Sequence, residues 1–374
     1  MNNNFITVIL SILMAGLLIC MVAFGIVAYK ELGNTGLEDA LVTNTEGEIS
    51  IIEKREDIET PQVIEQTIND VETAYSSNNI KYDSSDSRTR YFYNQLDNYS
   101  KVIYDGMASN IDNMKTGTYK LEFGESFSEL LSQSNGQELL GNYYQSAIEA
   151  FTYDNPIVFF LDPTKMYLNI RSTTKKGKTT YNVFITNKDD SNYLAKGFDS
   201  AEQVNECQAQ IEREKNNILS GISGSTEKKI REIHDFLVDN LTYDQTVSEN
   251  NIYNLYGGLV TKNCVCEGYA KAFKYLLDES GIDNVIVIGT GVNSKGEVEN
   301  HAWNYVAING NWYATDVTWD DPIIQGGGIL TSSYRYKYFL KGLTNIEKDH
   351  VANGQFTEGG KIFSYPTISN YDYK

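Results

Sequence analysis

Three side chains, far apart along the chain, could do covalent chemistry together: Cys266, His301 and Asp316. Cys266 stands where the polar approach Asn263-Cys264-Val265 gives way to a helical pattern. Tyr269, Ala270, Phe273, Leu276 and Leu277 then share one apolar face, and Gly281 falls where a helix commonly stops. In the first turn of a helix the backbone N–H groups are unpaired and the dipole is positive, so an anion is favoured. A thiolate is such an anion, and the position should make the sulfur nucleophilic at neutral pH. A free cysteine more commonly ends up as a small buried core residue, so the case depends on what lies downstream.

Downstream, residues 300–318 read as two strands around Asn309-Gly310, the strongest short hairpin signal. A two-residue turn sets Ile308 opposite Asn311, Trp303 opposite Asp316 and His301 opposite Thr318. His301, Trp303 and Asp316 then share a face, with His301 and Asp316 as diagonal cross-strand neighbours. In the chemistry this allows, Cys266 attacks a carbonyl carbon as thiolate. His301 takes the thiol proton and later gives it to the leaving amine, while Asp316 fixes the tautomer and steadies the imidazolium. The Cys266 N–H is a natural oxyanion donor, and the sequence does not identify the second. Cys264 competes as nucleophile but lies further before the helix. Two sulfurs spaced C-x-C with no second pair are a weak ligand set, so no metal and no cofactor are expected.

Four segments carry a resemblance: 233–244 (Ile-His-Asp-Phe-Leu-Val-Asp-Asn-Leu-Thr-Tyr-Asp), Val265-Cys266-Glu267-Gly268-Tyr269-Ala270, His301-Ala302-Trp303-Asn304 and the run from Trp312 to Pro322. Together they resemble the bacterial transglutaminase-like superfamily. The resemblance implies a papain-like α+β core, in which a helix-start cysteine packs on an antiparallel sheet, with Cys266, His301 and Asp316 as the triad. It also implies that Tyr243 and Asp244 approach the cleft; Tyr243 and Trp303 are the candidate substrate-binding residues. Cross-linkers, peptidases, deamidases and inactive scaffolds all occur in the family. The implied activity is therefore an acyl-thioenzyme acting on peptide or glutamine amide bonds, with transfer and hydrolysis both open. The alternative is a catalytically inactive binding or scaffold module on the same fold.

The chain that must position these residues has 374 residues and a net charge of −19. Nucleic acid is a poor partner for so acidic a protein, whereas lysine-rich segments would be drawn to it. After a short tail at 1–4, residues 5–29 form an uncharged apolar run, long enough for a helix to cross a bilayer, which takes about 20 residues. The run exceeds a signal peptide's apolar core of about 7–15 residues and no basic residue precedes it. A single-pass anchor in the cell membrane is expected, with the catalytic part outside and a protein or peptide substrate, cell-wall associated, as partner. Residues 30–87 are acidic and poor in aromatics and read as a disordered stalk.

Residues 88–200 read as a small α+β domain. Phe92, Leu96, Tyr99 and Ile103 mark one helix and residues 141–153 a second; strands are expected at 157–161, 166–172 and 179–186. The resemblance implies that residues 201–374 are the transglutaminase-like domain. A helix capped by Ser225 runs to Leu241, a glycine loop at 325–328 could rim the cleft, and residues 334–340 are expected as a last strand. His234 is read as structural and His350 as a surface residue, although the resemblance often shows a histidine at that place. The four cysteines, Cys20, Cys207, Cys264 and Cys266, do not form a disulfide framework.

Overall fold

The computed structural model describes residues 90–187, 191–293, 295–321, 331–353 and 363–374. The expected membrane run at 5–29, the stalk at 30–87 and the glycine loop at 325–328 lie outside them. Among the described residues no helix is long and apolar enough to cross a membrane.

The first part of the chain is built from α1 (Asn98–Ser109), β1 (Leu121–Glu122), α2 (Gly136–Asp154), β2 (Met166–Lys175) and β3 (Lys178–Asn187). α1 and α2 pack through Tyr104 and Phe151, whose rings meet edge-on at 5.3 Å. Asp154 ends α2 and accepts the N–H groups of Phe92 and Tyr93 at 3.0 and 2.9 Å, which fastens the start of the described chain to that helix. The strands lie antiparallel in the order β1-β3-β2. The hairpin β2–β3 turns at Lys176 and Gly177, both left-handed (φ 51° and 79°), as a tight turn of this twist demands. Residues 157–161 are not the expected strand. A 3₁₀ turn covers Pro156–Val158, and only Leu161 makes a bridge, to Leu194. Pro156 presets a helical φ and has no N–H for a ladder, and a short buried apolar run reads alike as strand or helical turn.

The second part runs through α3 (Ala201–Leu219), α4 (Thr226–Asn240), β4 (Thr242–Tyr243), β5 (Asn263–Cys264), α5 (Cys266–Glu279), β6 (Asn284–Val292), β7 (Val298–Ile308), β8 (Asn311–Thr315) and β9 (His350–Val351). Ser225 caps α4 by accepting the Lys228 N–H. Strands β8-β7-β6-β9 form one antiparallel sheet, and β4 pairs parallel with β5. α5 lies against the sheet: Phe273, Leu276 and Leu277 are fully buried with Ile286 of β6 and Val306 of β7. The helix ends as its pattern predicts, with Gly281 left-handed at φ 73°. Residues 334–340 are not the expected strand. Ser332–Arg335 is a helical turn, drawn toward α4 by Arg335, whose guanidinium meets Asp239 at 2.5 and 2.7 Å and Asp235 at 3.2 Å. Leu340 turns left-handed (φ 47°), and only Lys341 bridges to Ala314.

One apolar core crosses both parts. Phe92 meets Phe363 at 5.2 Å, and Phe159 stacks on Tyr256 at 6.0 Å.

Candidate active site

Cys266 is the first residue of α5 and is half-buried. Val265 arrives extended (ψ −177°), and its carbonyl takes the N–H groups of Gly268 and Tyr269. At the first helical position the Cys266 N–H has no acceptor within the helix and is free to point at a ligand. The parallel pair β4–β5 sets Tyr243 beside Cys264, two residues before the nucleophile. Gly268 makes this crossing possible, because a Cβ there would lie 2.5 Å from the Cys264 Cβ and 2.8 Å from the Ile252 carbonyl oxygen. Cys264 itself is fully buried, and burial pushes its thiol far above the ordinary range, so it belongs to the core.

His301 lies in the middle of β7, paired across to Gly289 of β6. Its Nε2 is 2.7 Å from Asp316 Oδ2. An ionised carboxylate only accepts, so Nε2 carries the proton and Nδ1 is the nitrogen left to face a thiol. Burial opposes the imidazolium, but the charge and hydrogen bond of Asp316, with Cys266, outweigh it and raise His301 to about 10. Burial likewise works against the Asp316 carboxylate, and His301 with His350 overcomes it, holding the acid well below its usual range. Both shifts favour an imidazolium held against the Asp316 carboxylate.

The hairpin register runs as predicted from Ile308↔Asn311 to Asn304↔Thr315 and then stops. The expected pairs Trp303–Asp316 and His301–Thr318 are not made. Instead the chain turns, with the Thr318 and Trp319 N–H groups donating to Asp316 Oδ1 at 3.0 and 3.2 Å. Such an Asx turn swings the carboxylate back over the sheet, onto His301. The residues meet through a turn, where a straight ladder was expected.

Trp303 does not have the expected substrate-binding place. It is 1% exposed and lies beneath His301, ring centroids 5.8 Å apart and nearly parallel. Trp319 also stacks on the imidazole, at 4.8 Å. Tyr243 is half-buried; burial, then the neighbouring Cys266, keeps its hydroxyl protonated and available to donate. Asp244 caps its own loop, accepting from the N–H groups of Thr246 and Val247 and from Asn263 Nδ2.

His350 corrects its reading as a surface residue. It is 4% exposed, with Nε2 3.0 Å from Asp316 Oδ2 and Nδ1 2.8 Å from Asp349 Oδ1. The residue lies 34 positions from Asp316, and nothing in the local run Lys348-Asp349-His350 marks it apart from the neighbouring acid. His234 is buried, as a structural residue would be, between Asp235 (3.0 Å) and Asp320 (3.1 Å). Ligand atoms of His301, Asp316 and His350 lie within 4.8 Å of one another. Each imidazole Nε2 is already joined to Asp316 Oδ2 by a hydrogen bond, so the trio is a proton-linked network.

Residues 214–317 match the core model of the transglutaminase-like superfamily. That segment contains all three triad positions. Among curated proteins the chain is similar to the kyphoscoliosis peptidases of Mus musculus (26% identical over 140 residues, 34% of this chain) and Homo sapiens (25% over 143 residues, 34% of this chain). The match spans 21% of the length of each of those relatives. A crystal structure of a TGase overlaps 46% of this chain and 49% of its own with 16% identity and a TM-score of 0.28, a likeness too distant to bear on the site.

Proposed function

We propose that the chain is a thiol-dependent acyl enzyme acting on peptide or glutamine amide bonds. The observation that carries the reading is the buried His301–Asp316 pair at 2.7 Å, together with Cys266 at a helix start and among the groups that raise the His301 imidazole. Cys266 Sγ adds to the amide carbon, and the tetrahedral oxyanion faces the Cys266 N–H. We assign the Tyr243 hydroxyl as the second donor. The C–N bond breaks as the nitrogen takes the proton on His301 Nδ1, releasing ammonia or an amine and leaving a thioester. His301 then accepts a proton from water or from a primary amine as either attacks the thioester, giving an acid or a new amide and freeing the thiolate. We also propose that the apolar run at 5–29 anchors the chain in the cell membrane with this domain outside, facing protein or peptide substrates of the envelope.

The test incubates the protein with a glutamine-containing protein and a primary amine and weighs the products. Amine adducts indicate transfer, a gain of about one mass unit indicates deamidation, and shortened chains indicate peptide hydrolysis. Absence of all three, together with slow alkylation of Cys266 that does not depend on His301, would leave the binding module as the better reading.

A further inference from the structure

The Asp316 carboxylate is not devoted to His301. Its Oδ2 accepts from two imidazoles, His301 Nε2 at 2.7 Å and His350 Nε2 at 3.0 Å, while Oδ1 takes two backbone N–H groups. His350 is anchored independently of the triad. Its backbone pairs with Gly291 at the edge of the sheet. Its Nδ1 faces Asp349 Oδ1 at 2.8 Å, and the other oxygen of Asp349 accepts the Tyr338 hydroxyl at 2.6 Å. Each ring nitrogen of His350 thus faces a carboxylate oxygen.

We propose that His350 is a positioning residue for the Cys266–His301 couple, acting through Asp316. The inference rests on the reading of Cys266 as the nucleophile. Physically, an oxygen held by one donor can swing with that donor, whereas an oxygen held by two rings on different strands has its place fixed from outside. β9 carries His350, β7 carries His301, and Asp316 Oδ2 is the point where they meet. His350 also draws on the same negative charge that steadies the His301 imidazolium. It therefore tempers how firmly that imidazolium holds the proton it must give to the leaving group.

A merely structural role is the competing explanation, since the ring of His350 also packs against Trp319 (4.4 Å), Trp303 (4.9 Å) and Tyr338 (5.1 Å). His350→Phe separates the two. It keeps a ring for the packing and removes both ring nitrogens. Two readouts need no substrate: the rate of Cys266 alkylation by iodoacetamide, and the low-field proton resonance of His301 Nε2–H followed through a pH titration. The titratable groups facing His350 are Asp316, Asp349, His301 and the Tyr338 hydroxyl. In folded His350→Phe, alkylation should slow on the order of 10- to 100-fold, the scale of one lost hydrogen bond to a charged group. The His301 resonance should move, and its titration should shift to higher pH, because Asp316 no longer shares its charge. His350→Gln, which restores an N–H toward Asp316, should recover alkylation to within about threefold of wild type. If His350→Phe does not fold, as its melting curve would show, Asp349→Asn tests the same relay more gently and should slow alkylation in the same direction. Folded His350→Phe that alkylates within about twofold of wild type, or a His301 resonance that stays in place, would overturn the proposal. A wild-type chain whose Cys266 alkylates in a His301-dependent way but converts no amide would refute the proposed reaction and leave this inference intact.

Discussion

Replacing Asp316 by asparagine keeps the shape of the side chain, removes its charge and turns one acceptor into a donor. Asp316 accepts four hydrogen bonds: from His301 Nε2 (2.7 Å), His350 Nε2 (3.0 Å), Thr318 N (3.0 Å) and Trp319 N (3.2 Å). An asparagine oxygen can keep the two backbone groups, but its NH2 then faces two protonated imidazole nitrogens. The least costly escape is for His301 to move its proton from Nε2 to Nδ1 and accept from the amide. Nδ1 is the atom left for Cys266, and a ring protonated there as a neutral tautomer cannot take the thiol proton. A wrong tautomer in a triad of this kind lowers kcat by about 10⁴-fold, or about 5.5 kcal/mol. Two hydrogen bonds to a charged group, at about 1.5–3 kcal/mol each, give the same range. Stability should fall too, because breaking a buried pair costs about 3–5 kcal/mol, so the assay belongs well below the melting temperature. The measurement is amide turnover beside Cys266 alkylation at neutral pH, on protein whose circular dichroism matches wild type. A folded Asp316→Asn enzyme turning over within about tenfold of wild type would refute the tautomer argument.

Tyr243→Phe should lower amide turnover by about 10²–10³-fold yet leave alkylation of Cys266 nearly unchanged, because a small alkylating agent forms no oxyanion; equal loss in both, or in neither, would remove Tyr243 as a donor. Gly289→Ala places a Cβ 2.0 Å from the Val351 carbonyl oxygen and 2.7 Å from the Trp303 ring, so β9 must part from β6 and carry His350 away. Its melting temperature should drop, with a cost of at least about 1–3 kcal/mol, whereas Gly221→Ala, where a Cβ meets nothing within 4 Å, should melt like wild type. The pH dependence of stability has a definite sign. His301 is raised from 6.5 to about 10 on folding, so its contribution is complete below 6.5 and is lost as pH rises through about 10. Denaturant melts of wild type should weaken across that window, and those of His301→Gln should do so much less; parallel curves would show that His301 is not held as an imidazolium.

The helix start at Cys266, its end at Gly281 and the hairpin register around Asn309-Gly310 were all legible in the sequence, because each is set by short-range rules: an apolar period of 3.6 residues, a left-handed glycine, a two-residue turn. Those rules place Cys266 and His301. They miss where Asp316 goes, because β8 ends one residue before it and a side chain-to-backbone turn takes over. They miss His350 for a different reason. Its burial depends on a two-residue edge strand, β9, that pairs with β6 across more than fifty residues of chain, and no local pattern announces such a pairing. Trp303 was misplaced because alternation along a strand tells which residues share a face, but not that the face is covered by Trp319 and His350. The residues at 157–161 and 334–340 are apolar and aromatic enough for strands, and a proline in one and an arginine drawn to α4 in the other turn the backbone away.

The turn after β8 explains why three chemical groups on separate elements can keep one geometry. Within six residues it presents three aspartates to three parts of the fold. Asp316 holds His301 of β7 and His350 of β9, Asp320 meets His234 of α4 at 3.1 Å, and Asp321 accepts the Tyr269 hydroxyl of α5 at 2.7 Å. The last contact bears directly on the nucleophile, because Tyr269 is three residues beyond Cys266 on the same helix. A shift of α5 against the sheet would stretch Tyr269–Asp321, and a shift of the sheet would stretch His301–Asp316. Both strains meet in one short turn whose own backbone is fixed by the Asx bonds of Asp316 and by the Tyr338 N–H donated to Asp320 at 2.8 Å. A thiol on a helix and an imidazole on a strand are two rigid bodies, and catalysis by proton exchange between them tolerates errors well under 1 Å. A turn that ties both bodies to one carboxylate cluster supplies that tolerance, where separate packing of each against the core would not.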